Sequence, residues 1–389
     1  MNKTLGYYTC DGIEFAGKIQ ALQYSTITHK PVEWHFNRWE FGQHNWMAEP
    51  PETLDQLYQR RARQIREQYD YVILSFSGGS DSWNIMRAFM DQGLLVDEIV
   101  SNWALDANSK YIVLDSTQHS SWNNVAEYHL NCVERIKEIQ ARSPATKITV
   151  NDTSRALIDT LLTADDASWT ATKSEVLNIT GATNFNYKYF RQIRKQFDRD
   201  KKIAIVVGHD KPKLIIKDQQ LYLYFIDKNI NLVNVQEHLG EYPNCHTISF
   251  YWSPDSCDML AKQAHTILRV INQNKRFATV FSITDSKVQR LIQEPILKRW
   301  LYSTWDTNWF QVQKSLMGDW DATLDYWFTR GWAGTREHAI WQAGIRHVRS
   351  SLNTKYLIKD KNGTATGTVP FTSPYYHIGT VVESPPVTV

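Results

Sequence analysis

The sequence predicts an α/β fold, a Rossmann-like open parallel sheet flanked by helices, and three observations predict it. Short, uncharged apolar runs at residues 71–76 and 203–207 have the character of strands buried on both faces. Helical periodicity brackets the first run, over residues 53–69 before it and from Trp83 after it. Between that first strand and the second helix lies a six-residue turn of glycines, serines and one aspartate.

Taken in order, residues 1–52 mix aromatic and turn-forming residues (Trp34, Phe36, Trp39, then Pro50-Pro51) and read as an aromatic-rich N-terminal cover. Thr53 is a suitable N-cap, and Leu54, Leu57, Tyr58, Ala62 and Ile65 recur at helical spacing behind it. Trp83, Ile85, Met86, Phe89 and Met90 form the inner face of the helix after the glycine turn. A second strand is expected at 96–103, a helix at 121–142, a third strand at 147–150 and a capped helix from Asp152 or Thr153. Residues 164–183 are polar and irregular, and 186–198 form a basic amphipathic helix carrying Lys188, Arg191, Arg194 and Lys195. Strands follow at 203–207, 221–226 and 247–252, and Ser253-Pro254-Asp255 starts a helix to about Asn274, with proline where a first turn accepts it. From residue 285 the chain is Trp-rich and mostly helical to 348, and Asn362-Gly363 then signals a β-hairpin. The expected organisation is a cover (1–52), a nucleotide-binding α/β domain (53–284) and a Trp-rich helical region ending in a hairpin (285–389).

Composition excludes several classes. The 389 residues carry 43 Lys+Arg against 41 Asp+Glu, a balance of +2 that indicates neither a nucleic-acid nor a membrane partner. No apolar run reaches membrane-spanning length and the first residues have no signal-peptide character, so a cytoplasmic address is expected. Four cysteines without a Cys-x-x-Cys pair argue against disulfide frameworks, zinc and iron–sulfur clusters. All four read first as buried, inert thiols; Cys257, in the first turn of an expected helix, is the one on which a helix dipole would act, and a sulfur-carrier role for it is the second reading. Seven of the 15 tryptophans lie between Trp300 and Trp341. At helical spacing they read first as core or subunit contacts, and second as platforms for nucleobases or sugars.

In an open parallel sheet, ligands gather beyond the carboxyl ends of the strands, and a glycine turn into a helix presents backbone amides to an anion. Ser77-Gly78-Gly79-Ser80-Asp81-Ser82 is such a turn, with Ser75 just before it. It is neither GxxxxGK[ST] nor GxGxxG. Ser77, Ser80 and Ser82 can donate to phosphate oxygens. A carboxylate among those donors would repel an anion unless a cation lies between, so Asp81 implies Mg²⁺. The later strand end (Gly208, His209, Asp210, Lys211, then Lys213) is expected to line the same crevice. For Gly208-His209-Asp210 a plain strand-end turn and a metal-binding His-Asp pair stay open as well.

The glycine turn resembles the SGGxDS signature of the PP-loop, or N-type, ATP pyrophosphatases, which include asparagine synthetase, GMP synthetase, lysidine synthetase, tRNA thiolases and PAPS reductase. It is also similar to virally encoded PP-loop proteins of the PAPS-reductase-like kind. The motif itself covers six residues, and compatible element order runs over about 53–274. The resemblance implies a HUP-type fold, ATP and Mg²⁺ as cofactors, and a loop that holds the β- and γ-phosphates. It further implies adenine held by backbone groups near Ser101, Asn102 and Trp103, and Lys211 and Lys213 binding phosphate or substrate oxyanion, with Lys211 neutralising transition-state charge.

Departures from the family narrow this. The last cysteine, Cys257, precedes the end by 132 residues, which removes the C-terminal cysteine of PAPS reductase. Asn2 stands where glutamine-dependent asparagine synthetases have a catalytic cysteine, and the clustered cysteines of zinc- or iron–sulfur-dependent members are missing. The expected activity is AMP- and pyrophosphate-forming adenylation of a carbonyl or carboxylate, followed by attack of an amine or ammonia. The alternatives are base modification or thiolation of a nucleotide or nucleic acid through the same adenylate, with nucleic-acid contact at the basic helix, and a non-catalytic module that sequesters a nucleotide.

Overall fold

The computed structural model describes residues 3–103, 105, 127–152, 162, 200–208, 213–227, 244–283, 293–308, 332–359 and 365–382. In the N-terminal part, β1 (Tyr7–Cys10) pairs antiparallel with β2 (Ile13–Phe15), helix α1 (Lys18–Thr28) follows, and β3 (Val32–His35) returns along the other side of β1. Helix α2 (Arg38–Gln43) then leads to α3 (Leu54–Gln68). Thr53 caps α3 as expected: its hydroxyl accepts from the Gln56 amide while the Gln56 side chain accepts from the Thr53 amide, a reciprocal capping box.

Next come β4 (Tyr71–Ser75), α4 (Ser80–Met90), β5 (Glu98–Trp103), a π-helical turn at Tyr128–Cys132 running into α5 (Val133–Arg142), β6 (Lys147–Asp152) and β7 (Ile203–Val207). A hairpin of β8 (Lys213–Lys217) and β9 (Gln220–Tyr224) precedes β10 (Cys245–Ser249). Strand β8, absent from the sequence expectation, begins at a residue there assigned to the crevice, Lys213. A 3-10 turn at Pro254–Ser256 opens α6 (Cys257–Gln273), followed by α7 (Lys275–Phe281), α8 (Glu294–Leu301) and α9 (Arg336–Ser351). The hairpin expected around Asn362-Gly363 is formed by β11 (Leu357–Lys359) and β12 (Ala365–Thr368), and β13 (Tyr376–Thr380) follows.

Among the described residues, five strands form one parallel sheet in the order β10-β7-β4-β5-β6. Numbered by their appearance in the chain, these run 3-2-1-4-5 from the β6 edge, the order of Rossmann-like sheets. Order reverses between β4 and β7, which makes the carboxyl ends of those two strands the switch point. Period-two alternation sends Val72, Leu74, Ile99, Ala204 and Val206 into the main core, while Ile73, Val100, Ile203, Ile205 and Cys245 cluster on the opposite face. This two-sided burial is why both runs are continuously apolar.

Strand β13, far along the 285–389 stretch, pairs antiparallel with β9, completing a second sheet ordered β13-β9-β8. The N-terminal cover docks through aromatic rings: Phe41 stacks on Phe225 at 4.5 Å, and Phe36 and Trp252 close the same cluster. Much of the aromatic content therefore joins elements distant in sequence. Among the described residues no helix is long and apolar enough to cross a membrane.

Candidate anion site at the switch point

Strand β4 ends at Ser75, and Phe76 continues the ladder by donating its amide to the Val100 carbonyl at 2.8 Å. The chain then turns sharply through Gly78, whose φ of +69° is a left-handed conformation that favours glycine. A second constraint is steric, because a Cβ on Gly78 would lie 2.4 Å from Cys132 Cα in the π-helical turn. The glycine turn is thus pressed against the start of the α5 helix. Gly79 is the N-cap of α4, and the first bond of that helix runs from the Trp83 amide to the Gly79 carbonyl at 2.9 Å. The amides of Ser80, Asp81 and Ser82 fall in the first turn, where they have no partner within the helix and the helix end is positive. Ser77 Oγ accepts from the Gly79 amide at 3.2 Å and lies 3.5 Å from Ser82 Oγ, so the hydroxyls converge on the turn. Ser77 is exposed; Ser80 and Asp81 are half-buried.

The end of β7 closes the other side. A Cβ on Gly208 would come within 2.9 Å of Ile85 Cδ1 and 3.5 Å of the Ser82 amide nitrogen, so the strand end lies directly on the first turn of α4. Gly208 and the Ser77–Ser82 turn are therefore brought together, as the sequence expectation had them. His209, Asp210 and Lys211 lie outside the described residues, as does the basic helix expected at 186–198. Lys213 is the first residue of β8, opposite Tyr224 in the antiparallel sheet.

At the β5 end the three side chains have partners within the fold. Trp103 and Ser101 are fully buried, with Trp103 Nε1 donating to Ser101 Oγ at 2.6 Å and Cys132 Sγ 3.2 Å from the same hydroxyl. Asn102 accepts from Asn151 Nδ2 at 3.1 Å. The pairing of β4 with β5 stops at Ser75–Val100, so residues 101–103 run on past the end of β4 beside the glycine turn.

Asp81 has partners that sequence reasoning missed. Tyr302, immediately after α8, donates its phenolic hydrogen to Asp81 Oδ1 at 2.5 Å, and Lys298 Nζ on α8 lies 3.7 Å from Oδ2. Tyr251 donates to the Asp81 carbonyl at 3.1 Å and accepts from Asn84 Nδ2 at 3.2 Å. Burial, and after it the negative charge of Asp81, pushes the Tyr251 and Tyr302 phenols well above their ordinary range, so both remain donors. Tyr58 completes the buried tyrosine group, 6.1 Å from each of the other two rings. Beneath the turn, the buried Arg135 donates to the Gly78 carbonyl and sits 5.3 Å over the Trp83 ring. Burial lowers its pKa to about 10, which leaves it cationic at neutral pH. Glu127, also buried, is the leading charge acting in the opposite direction, and its Oε1 is 3.3 Å from where a Gly79 Cβ would stand. None of these partners has a local sequence signal: Tyr302 is 221 residues from Asp81, and Arg135 is 57 from Gly78.

An Mg²⁺ ion takes one or two carboxylates and otherwise keeps waters and phosphate oxygens, so a single half-buried carboxylate at an anion cradle fits it. Among the described residues no group of three acidic, His or Cys side chains could hold a metal by itself.

Cys257 follows the inert reading rather than the sulfur-carrier one. Its thiol donates to the Pro254 carbonyl at 3.1 Å and its pKa is pushed up to about 12, by burial first and then by the charges of Asp258 and Asp255. These outweigh the helix dipole. At pH 8 about one such thiol in ten thousand is ionised. Maleimide labelling followed by peptide mass analysis is therefore expected to leave Cys257 unmodified on a timescale that exhausts free cysteine; rapid labelling would refute the assignment. In the Trp-rich stretch, Trp300 is exposed on α8 and Trp305 packs against the core, whereas Trp309, Trp320 and Trp327 lie outside the described residues.

No protein-family model matches the chain, and no curated protein does.

Proposed function

We propose that the chain is an ATP pyrophosphatase of the PP-loop, HUP-type class that adenylates a substrate carbonyl or carboxylate and passes it to an amine or ammonia. One observation carries the reading: the Ser77–Ser82 turn opens a helix at the switch point of a 3-2-1-4-5 parallel sheet, with Gly208 of the adjoining strand against that helix's first turn. That is where a sheet of this order receives a nucleotide.

In this reading the substrate oxygen attacks the α-phosphorus, the bond from that phosphorus to the bridging oxygen breaks, and pyrophosphate leaves. The amine then attacks the carbonyl carbon, loses a proton, and AMP departs with the former carbonyl–phosphate oxygen. Ser77, Ser80 and the first-turn amides hold the departing phosphates, while Ser82, buried and donating its hydroxyl to the Gly79 carbonyl at 3.1 Å, joins Ser75, Gly78 and Gly79 in shaping the turn that aims them. Asp81, whose Oδ1 accepts from Tyr302 and whose Oδ2 lies 3.7 Å from Lys298 Nζ, would be the residue to hold Mg²⁺; the ion would supply neutralisation of phosphate charge. Lys298, 3.7 Å from Asp81, would add positive charge beside the turn, alongside the Lys211 suggested by the resemblance. Most of the work is positioning and charge neutralisation, with no protein nucleophile.

The test is product analysis of α-phosphate-labelled ATP with Mg²⁺, the protein and a small-molecule or RNA fraction of cell extract. Labelled AMP is expected, dependent on the extract, and Asp81→Asn should lower its rate by about 10²–10³-fold. Nucleotide bound but unaltered would replace the enzyme by a nucleotide-holding module; no binding at all would remove the nucleotide reading.

A further inference from the structure

We propose that the outer face of the β13-β9-β8 sheet binds a single-stranded polynucleotide. The inference stands apart from the adenylation reading, since it concerns a different sheet and needs no ATP.

Alternation divides this sheet cleanly. Leu214 and Ile216 on β8 and Leu221 and Leu223 on β9 face the core. The opposite face carries Lys213, Ile215 and Lys217 from β8, Tyr222 and Tyr224 from β9, and Tyr375 and His377 at β13. Register brings them together: Lys213 is opposite Tyr224, and Tyr222 is opposite His377. The rings form one patch, with Tyr375 5.3 Å from Tyr224 and 6.2 Å from Tyr222, and Tyr222 5.4 Å from His377. Lys217 Nζ sits 3.7 Å over the Tyr375 ring. Lys217 and Tyr375 are exposed, Lys213, Tyr222 and His377 are half-buried, and Ile215 and Tyr224 are buried, so the accessible part of the patch is the Lys217–Tyr375 end with Lys213, Tyr222 and His377.

Charge and chemistry choose the occupant. The three strands contain no carboxylate, and Asp218 sits in the turn between β8 and β9. Flat rings interleaved with lysines match alternating bases and phosphates, the combination by which sheets and grooves hold single strands. A membrane surface would call for exposed aliphatic side chains, which this face does not present. Strands of five residues span about 17 Å, room for two or three nucleotides.

The full chain is titrated against fluorescein-labelled oligothymidylate and oligouridylate of about 15 nucleotides, followed by anisotropy at about 50 and 200 mM salt. Saturable binding is expected to at least one, the tighter arm identifying the preferred sugar. Tyr375→Ala should weaken it about tenfold while Tyr375→Phe restores it. Lys213→Gln with Lys217→Gln should lower the salt slope by about 1.4, at roughly 0.7 per phosphate contact. Exposed positions were chosen for the ring variants so that circular dichroism can verify an unchanged fold. Absence of binding, indifference to these variants, or equal affinity for heparin, which has charge without bases, overturns the proposal. None of these outcomes depends on AMP formation.

Discussion

Gly78→Ala is expected to destabilise the protein by about 3 kcal/mol and, on the function proposed above, to abolish nucleotide binding at the turn. Two costs add. A left-handed φ of +69° disfavours a Cβ by about 1–2 kcal/mol, and overpacking typically costs another 1–3 kcal/mol. The overpacking here is against backbone, since the new Cβ would lie 2.4 Å from Cys132 Cα and 2.8 Å from its nitrogen, and neither can swing aside like a side-chain tip. Relief requires the glycine turn and the π-helical turn to separate, which moves the first-turn amides of α4. Gly93→Ala separates the two terms: its φ is +68°, yet nothing lies within 4 Å of the added carbon, so it should cost about 1 kcal/mol. Urea unfolding of the two variants measures the difference. Equal midpoints would show that the packing against Cys132 does not constrain the turn.

Lys18→Met is expected to cost about 3–5 kcal/mol, because it strands a buried carboxylate. Lys18 and Asp227 are each 2% exposed with 2.7 Å between Nζ and Oδ2. Asp227 also accepts from Tyr8 Oη at 3.0 Å and from the Phe371 amide at 2.9 Å, and Lys18 lies 5.2 Å over the Phe371 ring. One carboxylate therefore ties together α1, β1, the chain after β9 and the segment before β13. The matched control is Lys137→Met, whose partner Glu134 is on the same helix surface with both side chains well exposed, and which should change stability by under about 0.5 kcal/mol. Thermal and urea unfolding report both. A Lys18→Met protein as stable as the Lys137→Met one would mean that the buried pair contributes nothing beyond its volume.

The parts of the site legible in the sequence are those built within one stretch of chain. A continuously apolar run, a glycine turn and a helical stripe are consecutive, and each reports on its own backbone, so β4, the Ser77–Ser82 turn and α4 could be read directly. The Thr53 cap and the β11–β12 hairpin are local for the same reason. Gly208 was reachable one step further on, because strand ends in a parallel sheet converge. Tyr302 and Lys298 were not, since a tyrosine and a lysine in a Trp-rich helical stretch have nothing around them that refers to Asp81.

Cys257 marks the boundary from the other direction. Its position at a helix start is a sequence property and left an acidic thiol open beside the inert one, whereas burial and two nearby carboxylates are properties of the folded surroundings and decide for the inert thiol. Likewise, the tyrosines and lysines of β8, β9 and β13 become one patch only after residues near 375 pair with residues near 222. The amino-acid sequence alone determined the α/β class, the two-sided burial of β4 and β7, and a glycine turn between a strand and a helix, because hydrophobic period and glycine placement act over a few residues. Only the tertiary structure decided what holds that turn and its carboxylate: Cys132 and Arg135 from one side, Tyr251 and Tyr302 from the other. Such partners are selected by proximity after folding, and proximity across hundreds of residues leaves no local pattern.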